Sequence, residues 1–415
     1  MKRSIILIVL LVFLAIPAVA QQKVKDLKPT VVLISIDGFR YDYLDLYSPP
    51  NLSKLAEKGV RARWMIPSFP TKTFPNHYTV ATGLYPQNHG ITDNNMYDPE
   101  FDAEFGLGKR EEVQNPRWWG GEPIWVTAEK QGQTAAAYFF PGTETKIGGV
   151  QPTFWREYDG DVANETRIDT ILTWFDLPAN ERPTMYTLYF SDVDDAGHRY
   201  SPDAEETRAA VLKVDEMIGR LVDGFKKRGI EGKVNLIIVS DHGMVTVPAR
   251  NRIVLDEMFD VSKAERVIWV GEIVQIWPKE GEEDAIYNAI KPKLPGQAKI
   301  YRKSEIPARY KYSKNRRIAP LLVLPDAGWV LVNRARADKM DAERPADSVG
   351  GSHGYDNLAP EMRALFIANG PAFKRSYTAD PFSNVEVYNL MCHILGLTPA
   401  PNDGYLDNVK EVLKK

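Results

Sequence analysis

Three apolar runs, each leading into aspartate, constrain this chain more than any other feature. Val31-Val32-Leu33-Ile34-Ser35-Ile36 ends at Asp37-Gly38. Met185 to Phe190 leads into Asp192-Val193-Asp194-Asp195-Ala196-Gly197-His198, and Leu236-Ile237-Ile238-Val239 into Ser240-Asp241-His242-Gly243. Continuous runs of this length and composition read as strands buried on both faces. Between the last two lies a helical stretch over residues 204–228, with Val211, Val214, Ile218, Leu221, Val222 and Phe225 on one face and Gly229 as its stop. Strands alternating with amphipathic helices predict an α/β fold, a mainly parallel sheet sandwiched between helical layers. In such sheets the ligand site lies beyond the carboxyl ends of the strands. Carboxylates gathered there repel one another unless a cation joins them. One aspartate at such a place is commonly a helix cap or a turn; three together point to a site.

The 415 residues are 44% apolar and 26% charged, which excludes a disordered or fibrous chain. Residues 266–335 break the alternation with short strand-like runs, one helix near 283–291 and many prolines, and read as an α+β insertion in a single domain spanning 21–415. With 52 basic and 55 acidic residues, net charge −3, the chain lacks the charge of a bulk nucleic-acid binder. The run 302–317 holds seven basic residues and one acid, Glu305. Tyr310, Tyr312 and Ile318 interrupt it as packing residues, so it reads as a solvated face of the insertion rather than a nucleic-acid patch. The single cysteine, Cys392, excludes an intrachain disulfide and a thiolate zinc site.

Residues 1–20 have the form of a signal peptide: Lys2 and Arg3, an apolar run from Ile5 to Ile16, then Ala18-Val19-Ala20, with cleavage expected before Gln21. The run is short for a membrane anchor, and no other segment reads as a span. Export without disulfides points to a periplasmic or secreted protein.

The histidines sharpen the site. Of six, His198 stands four residues after Asp194, which brings both side chains to one side of a helical turn. His242 adjoins Asp241, and His353 sits in the glycine-rich stretch Gly350-Gly351-Ser352-His353-Gly354. Imidazole and carboxylate without thiolate suit zinc at catalytic sites. A nucleophile candidate comes from Thr71-Lys72-Thr73-Phe74-Pro75. Pro75 suits the first turn of a helix and Gly83 its end, which puts Thr73 at a helix N-terminus, a place that favours phosphate. A bound metal can activate a hydroxyl that is otherwise a weak nucleophile; the alternative is a plain N-cap.

The stretch Thr71 to Tyr78, Thr82-Gly83-Leu84-Tyr85-Pro86, His89-Gly90-Ile91 and Asp93-Asn94 resembles the nucleotide pyrophosphatase/phosphodiesterase family of the alkaline phosphatase superfamily. So do Gly121-Glu122-Pro123-Ile124-Trp125, Ser240 to Met244, Gly351 to Asn357, and the tail from Pro381 to Cys392. The resemblance implies two zinc ions: one held by Asp194, His198 and His353, the other by Asp37, Asp241 and His242 with Thr73 completing its shell. It implies that Asn94 and the Thr73 backbone N–H bind a phosphate oxygen, that Phe74 and Tyr158 sandwich a nucleobase, and that Tyr189 is a further pocket tyrosine. Two stretches depart from the family pattern, both expected at the pocket walls: Phe139-Phe140-Pro141-Gly142 for Phe-Trp-Pro-Gly, and Asp192-Val193-Asp194 for Glu-Pro-Asp.

The expected function is hydrolysis of nucleotide phosphodiester or pyrophosphate bonds to nucleoside 5′-monophosphates through a threonyl-nucleotide intermediate, with a small-molecule substrate and no stable nucleic-acid partner. A lipid or choline-ester phosphodiesterase shares the same metal set, and aromatics at 74 and 158 suit a choline as well as a base. A non-catalytic metal- or nucleotide-binding protein would not need ligands and nucleophile together. Nothing in the sequence points to an oligomeric state.

Overall fold

The three aspartate-tipped runs lie side by side. In the structure, a computed structural model that describes residues 23–343 and 345–415, strand Val31–Ile36 pairs in parallel with Met185–Phe190 on one side and Asn235–Val239 on the other. The full sheet has eight strands, in the order Tyr377–Ala379, Val60–Ala62, Phe366–Asn369, Asn235–Val239, Val31–Ile36, Met185–Phe190, Ala135–Tyr138 and Phe154–Trp155. Only Phe366–Asn369 runs against its neighbours.

Burial on both faces follows from the two-residue period of a strand. Val31 and Leu33 face the layer that contains helices Thr73–Thr82, Ile124–Lys130 and Glu386–Leu395. Val32, Ile34 and Ile36 face the other, with helices Asn164–Phe175 and Glu205–Lys227. The long helix buries Val211, Val214, Ile218, Leu221 and Phe225, and Gly229 follows its C-cap at φ +71°. The observed architecture is the expected mainly parallel α/β/α sandwich.

Strands Ala264–Trp269, Val274–Pro278, Leu321–Pro325 and Ala298–Arg302 form a separate four-stranded sheet. Helix Glu283–Ile290 packs on it through Ile286 and Ile290, around a core of its own. Within 302–317, Tyr310 and Tyr312 are buried, as is Ile318 just beyond. Arg302, Arg309, Arg316 and Arg317 are each engaged by carboxylates. Among the described residues no helix is long and apolar enough to cross a membrane. The signal-peptide segment, 1–20, lies outside the described residues.

Candidate active site

At the carboxyl ends of the three central strands the acidic residues converge. Gly38, at φ +66°, turns the chain directly after Asp37; a side chain there would press on Asp194. Asp37 and Asp241 are each tied down by one oxygen. The Tyr189 hydroxyl donates to Asp37 Oδ2 at 2.6 Å, and the Gly38 N–H to Asp241 Oδ1 at 3.2 Å. The other oxygens, Asp37 Oδ1 and Asp241 Oδ2, are buried with no hydrogen-bond partner among the described residues, and so are Asp194 Oδ1 and His242 Nε2. Buried polar atoms in a folded protein are almost always paired, so four orphans at one place require a missing partner.

The imidazoles show what that partner is. His198 lies on helix Asp192–Tyr200, four residues after Asp194, with Nε2 3.4 Å from the Asp194 carboxylate. Its Nδ1 is 2.9 Å from the Gly351 carbonyl. His242 Nδ1 faces the Gly243 carbonyl at 2.9 Å, and His353 Nδ1 the Thr71 carbonyl at 2.8 Å. A carbonyl only accepts, so each Nδ1 carries the proton and each Nε2 turns a lone pair inward. His198 Nε2 and His353 Nε2 lie 3.1 Å apart. His242 Nε2 is 2.9 Å from Asp241 Oδ2 and 3.5 Å from Asp37 Oδ1. Lone pairs aimed at lone pairs and carboxylates are an arrangement that a cation satisfies, and backbone carbonyls on the far nitrogens are the usual support of ligating histidines.

Three groups each lie within reach of one ion: Asp194, His198 and His353; Asp37, Asp194 and His242; and Asp37, His77 and Asp241, with Asp241 also against His242. The residues present therefore fit a metal. Without one, burial and the neighbouring Asp241 and Asp194 carboxylates push Asp37 well above the usual carboxylate range, and burial raises Asp194. Burial works the same way on Asp241, yet His242 and His77 hold it well below. Cations would reverse the repulsion.

Thr73 opens helix Thr73–Thr82, which closes on Gly83 at φ +68°. Asn94 reaches the same turn: its Oδ1 accepts from the Phe74 N–H at 2.8 Å, which leaves its NH₂ group and the Thr73 N–H at the helix start. Thr73 lines a cavity with Asp37 and Asp194, and Phe74, Tyr158 and Tyr189 line the same cavity. Tyr158 is 40% exposed, and its ring centroid lies 5.1 Å from that of Phe139 and 6.2 Å from that of Tyr189. The structure thus brings together all ten residues singled out from the sequence besides Asn94, and sets Asn94 against Phe74.

The two departures separate. Phe139, Phe140 and Pro141 line the aromatic cavity as expected. Asp192 and Val193 do not: Asp192 binds Asn164 and Lys213 and faces a different hollow, while Val193 is buried in the core.

Sequence reasoning assigned no role to His77, Lys72 or Glu272. His77 is within reach of Asp37 and Asp241, but its Nδ1 is 2.8 Å from the Thr73 carbonyl and its Nε2 2.8 Å from Ser35 Oγ. It holds the Thr73 backbone, and its Nδ1 lies 3.3 Å from the Asp241 carboxylate. Lys72, beside Thr73, forms a buried ion pair with Glu272, which also accepts from Ser352. His77 is visible in the sequence as one of six histidines, four residues after Thr73. Glu272 carries no local signal, because its partners are remote in sequence.

Known proteins place the chain. It is 40% identical over 396 residues to human ectonucleotide pyrophosphatase/phosphodiesterase family member 1, an alignment covering 93% of this chain and 42% of the relative. It therefore spans about two fifths of that protein's length. It is 42% identical to an uncharacterized pyrophosphatase/phosphodiesterase of Schizosaccharomyces pombe, covering 90% of this chain and 78% of the relative. The solved structure of murine ectonucleotide pyrophosphatase/phosphodiesterase 5 superposes with a TM-score of 0.85 at 34% identity, covering 93% of this chain and all of that one. The same murine protein is known as an inactive threonine-to-alanine variant in complex with AMP, with a TM-score of 0.86, 34% identity and the same coverage. A family model described as type I phosphodiesterase / nucleotide pyrophosphatase matches residues 31–356. With most of its length matched, this chain belongs to the type I phosphodiesterase/nucleotide pyrophosphatase family.

Proposed function

We propose that this chain is an exported, zinc-dependent hydrolase that cleaves nucleotide phosphodiester or pyrophosphate bonds and releases nucleoside 5′-monophosphates. The observation that carries it is the set of three imidazoles with Nδ1 spent on carbonyls and Nε2 turned toward buried, unpartnered carboxylate oxygens, next to a helix that starts at Thr73. Asp194, His198 and His353 would hold one zinc; Asp37, Asp241 and His242, with Thr73, the other. When bound, such a pair supplies positive charge at the attacking and leaving oxygens and makes a hydroxyl acidic enough to attack at neutral pH.

The chain's own groups do the rest. The Thr73 hydroxyl gives up its proton and its oxygen bonds phosphorus in line as the bond to the leaving oxygen breaks, so the nucleotide is held as a threonyl ester. Water then displaces Thr73 and the nucleoside monophosphate leaves. The Thr73 N–H and the Asn94 side chain accommodate charge on a non-bridging oxygen. Tyr189 fixes Asp37, and His77 fixes the Thr73 carbonyl. Phe74 and Tyr158 receive the base across the cavity they share. That the murine relative is known in complex with AMP supports a nucleotide substrate. Export rests on residues 1–20 and on the ectoenzyme names of the relatives.

Hydrolysis of a nucleotide diester, a choline phosphodiester and a phosphate monoester, measured side by side, tests this reading. The nucleotide diester is expected to be cleaved fastest. Faster cleavage of the choline ester would move the protein to the lipid phosphodiesterase class.

A further inference from the structure

Glu272 belongs to the small four-stranded sheet, yet it reaches two of the loops that build the site. It stands at the hairpin tip between strands Ala264–Trp269 and Val274–Pro278. The tip is anchored on both sides of Glu272. The Gly271 carbonyl accepts from the Leu331 N–H at 2.7 Å, and Ile273 is fully buried in a cluster with Phe69, three residues before Lys72. Glu272 Oε2 accepts from the Lys72 ammonium, and Oε1 from the Ser352 hydroxyl. Lys72 immediately precedes Thr73, and Ser352 immediately precedes His353. All three side chains are buried.

We propose that Glu272 is a positioning residue for the reaction: by holding Lys72 and Ser352 with the two oxygens of one carboxylate, it fixes Thr73 relative to the His353 ring. The inference rests on the phosphodiesterase reading above, which gives Thr73 and His353 their roles. It assigns the inserted sheet a part in the chemistry, although no residue of that sheet belongs to the Asp/His groups.

Three observations carry the argument. First, the two loops also touch directly at Thr71: its carbonyl accepts from His353 Nδ1 at 2.8 Å, and its hydroxyl from the Gly354 N–H at 2.9 Å. Those bonds hold residue 71 against 353 and 354. Glu272 holds residue 72 against 352, so the segments are tied at two points and cannot pivot about one. Second, Gly354, at φ +119°, leaves room for the tie: a Cβ there would stand 2.4 Å from Lys72 Cε and 3.1 Å from Glu272 Cβ. Third, stability alone does not account for the pair, because a buried ion pair is commonly no better than apolar side chains of the same volume. What the pair supplies is geometry. A reacting group displaced by about 1 Å can lose two orders of magnitude in rate, and lost support around a ligating histidine weakens metal binding by about tenfold or more.

The test compares the native protein with Glu272→Met, Lys72→Met and the double variant. Three quantities are read: kcat and KM on thymidine 5′-monophosphate p-nitrophenyl ester, the chelator concentration that removes half the zinc, and the melting temperature of the metal-free protein. Each single variant leaves a buried charge without its partner, so its melting temperature should fall; the double variant leaves neither and should melt closer to the native protein than either single. The chemistry should not recover with it. In the double variant kcat should stay about tenfold or more below native with KM within about twofold, and half the zinc should leave at about tenfold less chelator. Ser352→Ala cuts only the arm toward His353 and keeps the ion pair; it should melt like the native protein and still release zinc more readily. If kcat and zinc retention recover together with melting temperature in the double variant, or Ser352→Ala holds zinc like the native protein, the positioning role is refuted and the phosphodiesterase reading stands. If the native protein does not cleave the ester, that reading falls, and the positioning role falls with it.

Discussion

Asp93 sits under the site and is fully buried. Its Oδ1 accepts from the Asn94 N–H at 2.7 Å, and its Oδ2 faces the Gln275 amide at 3.4 Å. Lys72 is close enough to favour the ionised form, but its ammonium is spent on Glu272. Burial dominates, and Lys72 and the backbone N–H groups offset it only in part, so the Asp93 pKa is pushed from 3.8 up to about 6. The folded state thus binds this proton more tightly than the unfolded state. Its contribution to stability is full below the unfolded value near 4, falls as pH rises, and is lost above about 6. The rise from 3.8 to about 6 corresponds to about 3 kcal/mol. Asp93→Asn keeps an oxygen for the Asn94 N–H and removes the buried charge. Urea unfolding at matched metal content should show the variant more stable by about 2–3 kcal/mol at pH 8, with the gain vanishing at pH 4. A variant less stable at pH 8, or a gain of the same size at both pH values, would refute the burial argument and assign Lys72 full compensation of the carboxylate.

Three further outcomes follow from the site. Stripping the protein with a chelator should abolish hydrolysis and lower the melting temperature, and zinc should restore both, because the four orphaned atoms then regain their partner; full turnover by metal-free protein would be incompatible with the proposed chemistry. Thr73→Ala should reduce turnover by on the order of a thousandfold or more at unchanged melting temperature, while Thr73→Ser retains part of it; an active alanine variant would mean that water attacks directly. Phe74→Ala and Tyr158→Ala should each cost about 1–3 kcal/mol on a nucleotide diester and much less on a small diester without a base; equal losses on both substrates would show that these rings only shape the cavity.

By itself the sequence determined the layers and the kinds of side chain that gather at the centre. Buried runs such as Val31–Ile36 have no solvated face, so they belong inside a parallel sheet, and the aspartates that follow them must then share one edge. The helix start at Thr73 and its end at Gly83 are local: ring geometry at Pro75 and a positive φ at Gly83 act within a few residues. The i,i+4 pairing of Asp194 and His198 is local for the same reason. What the tertiary structure alone decided is which atoms remain free. No spacing shows that Gly351, Gly243 and Thr71 would offer carbonyls to the three far ring nitrogens, that Tyr189 would take one oxygen of Asp37, or that Asp192 would turn outward to Lys213. Those contacts join residues up to 282 positions apart. They depend on how the sheet twists and which loops the glycines let approach: a Cβ at Gly351 would stand 2.3 Å from the Gly197 carbonyl, a clash that would drive the loop off the helix bearing His198.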